Sequence, residues 1–61
     1  MTETEILCVI VTRWIEHNEK HAEEYRRWAK HTSDISHDIL TAAESLMSVN
    51  QILIGALKKL G

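Results

Sequence analysis

Apolar and aromatic residues recur at alternating intervals of four and three from residue 7 to residue 28. This spacing lines side chains along one face of an α-helix. Because no turn residue interrupts it, the pattern predicts one long helix over about residues 4–30, and Thr2 with Glu5 matches the capping box that starts a helix. We call this face the predicted seam; its members are Leu7, Val11, Trp14, Asn18, His21, Tyr25 and Trp28.

A polar segment, residues 31–34, separates this helix from a second apolar pattern that runs to the end of the chain. Ser33 and Asp34 favour helix capping, so we predict a second helix over about residues 34–60. Its apolar residues form two adjacent stripes, more than one partner helix can cover. The sequence therefore predicts an all-α protein, one antiparallel helical hairpin over residues 1–61, which dimerises into a coiled-coil-like four-helix bundle.

The size of the chain supports the expectation of a partner. A chain of 61 residues buries only about 60% of its unfolded surface, so its own core is marginal. Cys8 is the only cysteine, which excludes a disulfide within the chain. Self-association or a metal ion remains as the added source of stability, and we expect a homodimer, with a different protein partner as the alternative.

Charge and hydropathy narrow the function classes. Seven basic and nine acidic residues are interspersed and give a net charge of −2, so no basic patch indicates nucleic-acid binding. The uninterrupted apolar runs, Ile6–Val11 and Ile52–Leu57, are much shorter than the ~20 residues that span a bilayer. With no secretory leader pattern at the N-terminus, we expect a cytoplasmic protein without a membrane partner.

Two histidines and one glutamate are the candidate metal ligands. His17, His21 and Glu24 follow i, i+4, i+7 spacing, which could present two nitrogens and one oxygen to zinc, nickel or cobalt. The segment HNEKH is not the HExxH motif of zinc proteases, because its acid occupies the third position. With no catalytic triad or glycine-rich phosphate loop in the sequence, we expect no catalytic residues, no certain cofactor and no enzymatic activity.

The competing interpretation of the same segment is structural. A polar residue at a seam position often fixes the register and oligomeric state of a bundle. Counting back from the turn predicts Leu46 and Met47 opposite Asn18. We favour a non-enzymatic oligomerisation or protein-interaction module with a buried polar–aromatic network, and keep a divalent-metal-binding four-helix bundle as the alternative. The network residues are Trp14, Asn18, His21, Tyr25, Trp28 and Asn50.

The segment WIEHNEKHAEEYRRWA, Trp14 to Ala29, is similar to a signature of a small, functionally uncharacterised family of prokaryotic helical domains. That signature reads W-I-E-H-N-x-x-H-A-x-x-[FY]-x-x-W-A. The resemblance covers about a quarter of the chain and brings no known activity. It implies a shared role, with metal handling as one candidate, for Trp14, Glu16, His17, Asn18, His21 and Trp28.

Overall fold

Two helices account for most of the chain. The computed structural model describes residues 2–61 and contains α1 (Glu3–Ala29) and α2 (Ser36–Leu60). Asn18 on α1 meets Asn50 on α2, and Tyr25 further along α1 lies beside Ala42, nearer the start of α2. Opposite directions of numbering mean that the helices are antiparallel. The prediction of an all-α hairpin is confirmed, with helix bounds within two residues of those expected.

The start of α1 follows the predicted capping box. The Glu5 backbone N–H donates to Thr2 Oγ1 at 3.2 Å, and the Thr2 backbone N–H donates to Glu5 Oε1 at 3.4 Å. Each side chain therefore satisfies an amide that has no partner within the helix. Arg26 and Arg27 lie in the last turn, where positive charge complements the helix dipole.

The start of α2 differs from the prediction. Its N-cap residue is Ile35, which makes no side-chain capping hydrogen bond, so Ser33 and Asp34 remain in the connection instead of capping the helix. His37 and Asp38 in the first turn are exposed, and water can therefore reach the free amides that a cap would have satisfied. Asp38 still supplies the expected negative charge at this end of the helix.

The line along which the helices pack is narrow and built from small residues. The fully buried apolar side chains are Val11, Ala22, Ala29 and Ala43. Alanines leave space for two backbones to approach closely, which explains why they, and not the larger residues, line the contact. The Cα atoms extend over 48 × 16 × 10 Å, so the hairpin is a layer one helix thick.

The apolar character of α2 exceeds what the hairpin covers. By length and composition alone, Ser36–Leu60 is long and apolar enough to cross a membrane, and only 11% of its most apolar window is buried. No uninterrupted apolar run in the sequence is long enough to span a bilayer, which is why the sequence predicts no membrane-spanning segment. The whole of α2, with its scattered polar residues included, is long and apolar enough. Much of its apolar surface is therefore available to a partner.

Candidate binding face and histidine pair

A pair of asparagines sets the register of the two helices. Asn50 is 1% exposed, and its Oδ1 accepts a hydrogen bond from Asn18 Nδ2 at 2.9 Å. Asn50 Nδ2 donates to the Ile15 carbonyl oxygen at 3.1 Å. The acceptor oxygen and the donor nitrogen of the buried Asn50 amide therefore each have a hydrogen-bond partner, as burial of a polar group requires.

This pairing corrects the predicted register. Asn18 lies opposite Asn50, about one helical turn further along α2 than the predicted partners Leu46 and Met47. The physical reason is that a buried amide needs a polar partner, which neither Leu46 nor Met47 can offer. The predicted register comes from counting residues back from the turn, and such a count does not consider which side chains need a polar partner.

The buried side of α1 is rotated away from the predicted seam. Trp14 is 51% exposed and Trp28 is 62% exposed. Each comes one residue before a member of the line that faces α2, Ile15 or Ala29, and therefore lies about 100° around the helix from that line. The predicted seam therefore mixes residues of two neighbouring lines: Val11 is buried on the line that faces α2, whereas Leu7 is exposed.

A second stripe of α1 therefore remains uncovered. It runs along one flank of the helix and combines aliphatic, aromatic and imidazole side chains at spacings of three and four. The stripe consists of Leu7, Trp14, His17, His21, Tyr25 and Trp28.

The matching flank of α2 is aliphatic. Ala42 and Val49 come one residue before the buried Ala43 and Asn50. In two antiparallel right-handed helices, side chains rotated in this same sense from the contact line lie on the same side of the pair. Tyr25 and Ala42 line one groove, as this geometry requires. The flank consists of Ile35, Ala42, Leu46, Val49, Leu53 and Leu60.

Together the stripe of α1 and the flank of α2 form one continuous surface, which we call the aromatic–aliphatic face. The opposite side of α1 is charged, with Glu16, Lys20, Glu23 and Arg27 among its residues; Arg13 lies at the edge of the face, in a groove with Trp14 and His17. The hairpin therefore has one apolar side and one polar side, and the apolar side exposes two indoles to solvent.

His17 and His21 lie within the aromatic–aliphatic face and touch each other. Their Nε2 atoms are 2.9 Å apart, and the ring centroids are 4.4 Å apart with the planes inclined at 74°. The other nitrogen of His21, Nδ1, faces Glu24 Oε2 at 3.9 Å. His21 thus directs its two nitrogens at two different neighbours.

The predicted three-ligand site is consequently not assembled within one chain. Because Glu24 approaches Nδ1 of His21 while His17 approaches Nε2, the three side chains do not point at a common position. Across residues 2–61, no group of three or more His, Cys, Asp or Glu side chains is arranged to hold a metal ion. The two Nε2 atoms alone converge.

The six residues of the predicted polar–aromatic network fall into two separate groups. Asn18 and Asn50 join between the helices. Trp14, His21, Tyr25 and Trp28 lie on the aromatic–aliphatic face, where the rings of His21 and Tyr25 are 6.2 Å apart and Trp28 lies 5.4 Å from His31.

The sequence held a signal for this division. Val11, Ile15, Asn18, Ala22 and Ala29 are spaced by four, three, four and seven residues and so also share one helix face, and their small average size distinguishes a close-packed line from an aromatic one.

Comparison with known proteins places the chain in a family without assigning an activity. No curated protein and no solved structure matches it. One family model, a domain of unknown function (DUF8180), matches residues 7–60, which includes all of α2 and all of α1 except its first four residues. The chain therefore belongs to the DUF8180 family.

Proposed function

We propose that this protein is a small, non-enzymatic self-association module in which two hairpins pack through their aromatic–aliphatic faces as a four-helix bundle. The observation that carries the proposal is the exposure of Trp14 and Trp28, at 51% and 62%, on the same side as the aliphatic flank of α2. Contiguous exposed apolar surface of this kind marks interaction sites in soluble proteins.

The exposed area supports a partner of substantial size. A compact monomer of 7.0 kDa is expected to expose about 4,000 Å², whereas this chain exposes 4873 Å². The excess of roughly 800 Å² equals the area that each partner buries in an interface of standard size. Since three of the four fully buried apolar side chains are alanines, the isolated hairpin also lacks the core that a chain of this length needs.

A second copy is the partner that the composition of the face favours. The α1 stripe is bulky, with two indoles and a phenol, while the α2 flank includes Ala42 and Val49. Under a two-fold rotation the bulky stripe of one copy can pack on the smaller residues of the other, which makes the face self-complementary. Most charged residues of α1 lie on its opposite side. The charged residues that border the face are of both signs, Arg13 beside Trp14 and His17 and Glu24 and Asp38 beside His21 and Tyr25, so two copies would not bring together charges of a single sign.

A bilayer is a poorer match for the same surface. Because α1 packs along α2, insertion of α2 would carry the charged side of α1 into the hydrocarbon, where each charge costs several kcal/mol. A dimer hides the aromatic–aliphatic faces and leaves the charged sides in water. This favours a water-soluble dimer over a membrane-inserted hairpin.

This proposal gives a physical reason for the residues in the prokaryotic signature W-I-E-H-N-x-x-H-A-x-x-[FY]-x-x-W-A. Its tryptophans and histidines correspond to Trp14, His17, His21 and Trp28, all of which lie on the aromatic–aliphatic face. Its asparagine, Asn18, joins the helices through Asn50. We propose that the shared feature of such domains is this face together with the register that presents it.

A matched pair of glutamate substitutions tests the proposal. Val49 lies on the aromatic–aliphatic face and is 44% exposed, whereas Leu40, at 39%, is nine residues away and therefore about 180° around the same helix. Native mass spectrometry and light scattering after size exclusion should show a wild-type dimer and a Leu40→Glu dimer. Val49→Glu should be monomeric at the same concentration, because a buried unpaired carboxylate would oppose association.

Circular dichroism at the same concentrations separates loss of association from loss of folding. If Val49→Glu unfolds, the wild-type protein alone still decides the matter, because the melting temperature of a dimer rises with protein concentration. A monomeric wild-type protein with a concentration-independent melting temperature would refute self-association. Partition of the wild-type chain into phosphatidylcholine vesicles, with no dimer in solution, would replace it by a membrane role.

A further inference from the structure

The two histidines of the aromatic–aliphatic face have a geometry that packing does not require. Their Nε2 atoms are 2.9 Å apart, and both belong to one helix. The ring centroids are 4.4 Å apart with the planes inclined at 74°, and the two nitrogens are within hydrogen-bonding distance of each other, so an ion bound to both would take the place of the proton they share. We infer that His17 and His21 form a two-nitrogen chelate for a divalent ion of the copper(II) or nickel(II) class.

The separation of the nitrogens indicates which ions fit. With metal–nitrogen bonds of about 2.0–2.1 Å, ligands at 90° place two nitrogens about 2.9 Å apart and the ring centroids about 4.5 Å apart. A tetrahedral angle would place the nitrogens about 3.3 Å apart and the centroids about 5.2 Å apart. The observed 2.9 Å and 4.4 Å match the 90° arrangement. Right-angled nitrogen ligation is typical of copper(II) and nickel(II), whereas zinc prefers a tetrahedron.

Glu24 takes a different role from that of a direct ligand. Its Oε2 lies 3.9 Å from His21 Nδ1, on the opposite edge of the ring from the Nε2 that faces His17. A carboxylate on the Nδ1 edge of the ring helps to orient it so that Nε2 faces His17. Glu24 is therefore a positioning residue for the chelate, which explains why the three side chains do not converge.

The site is open to solvent. His21 is 43% exposed and Glu24 is 57% exposed, so an ion can reach the pair in a single chain and complete its coordination with water. The inference goes beyond the proposed function and does not depend on it, because helix α1 supplies both nitrogens. The helix holds the two imidazoles one turn apart, and binding therefore orders few additional bonds.

Calorimetric titration of the untagged full-length protein with copper(II), nickel(II) and zinc(II) chlorides tests the inference. The expected result is one ion per chain, with affinity falling in the order copper, nickel, zinc. His17→Ala and His21→Ala should each weaken copper binding at least ~10-fold, because the second nitrogen no longer acts at high effective concentration. Glu24→Gln should weaken it about 10-fold.

His37→Ala is the matched control, because His37 is an exposed histidine outside the pair and its loss should change the affinity less than twofold. Electron paramagnetic resonance of the copper complex should show two equivalent nitrogen ligands in the wild type and one in His17→Ala. Equal affinities for wild type and His17→Ala, or equal losses in His17→Ala and His37→Ala, would overturn the chelate. Zinc as the tightest-bound ion would overturn the assigned geometry.

The same titration with Val49→Glu keeps this result separate from that of the proposed function. Val49 is on α2, whereas α1 supplies both imidazoles, so this variant should bind copper with unchanged stoichiometry whether or not the wild-type chain self-associates. Failure of the dimer would leave the histidine result intact, and a missing chelate would leave the association data intact.

Discussion

The hydrogen bond between Asn18 and Asn50 is the contact whose removal should have the most informative effect on stability. Asn18→Ala deletes the donor and leaves Asn50 Oδ1 without its partner in a site that is 1% exposed. A buried acceptor stranded in this way costs about 1–3 kcal/mol. For a domain of this size, that loss lowers the melting temperature by about 4–8 °C per kcal/mol.

The reciprocal substitution, at Asn50, should destabilise the hairpin for a different reason. Asn50→Ala removes two hydrogen bonds, one with Asn18 and one with the Ile15 carbonyl oxygen, each contributing about 0.5–1.5 kcal/mol. Asn18 is only partly buried, so water can replace its lost partner. In the double variant neither amide is stranded, and its cost should therefore fall below the sum of the two single costs by about 1 kcal/mol or more.

Urea and thermal unfolding at one fixed protein concentration, followed by circular dichroism, measure this cycle. Fixing the concentration matters because association contributes to apparent stability. Gln51→Ala provides the control, since Gln51 is the exposed neighbour of Asn50 and should change stability by less than about 0.5 kcal/mol. Strictly additive single costs, or an Asn18→Ala variant as stable as the Gln51→Ala control, would show that the amide pair does not hold the register.

Two further substitutions test local features of α2 by thermal unfolding. Gly55→Ala should stabilise the hairpin by about 0.5–1 kcal/mol, because a Cβ at this helical position meets no atom within 4 Å; a loss of stability would show a packing contact there. Ile35→Asp should stabilise the single hairpin by about 0.5–2 kcal/mol at protein concentrations below those of association, because Ile35 is an N-cap residue without a capping hydrogen bond; at higher concentration the new charge on the aromatic–aliphatic face should oppose association. No gain for Ile35→Asp would mean that the first-turn amides are already satisfied.

The two proposals assign different tasks to neighbouring residues of α1. Trp14 and Trp28 supply apolar area for association, while His17 and His21 between them supply nitrogen ligands. Because the imidazoles lie inside the proposed interface, an ion bound there would be near the partner copy, and the effect of copper on the dimer is measurable in the same mass spectra.

The sequence by itself determined the helices and their ends. The spacing of apolar residues and the absence of proline predicted both helices to within two residues, because these features act within one or two turns of the chain. The capping box at Thr2 was likewise predictable, since all its atoms lie within four consecutive residues. The cap of α2 was not, because several adjacent polar residues could equally have occupied it.

Only the tertiary structure decided which of two adjacent stripes on α1 packs against α2. Both stripes have helical periodicity, so the pattern cannot separate them; the choice depends on the close approach that Ala22, Ala29 and Ala43 permit and on the need of Asn50 for a polar partner. The convergence of the two Nε2 atoms also depends on side-chain torsions that spacing does not specify. Helix formation is a local property, whereas the choice of a buried face is a property of two surfaces together.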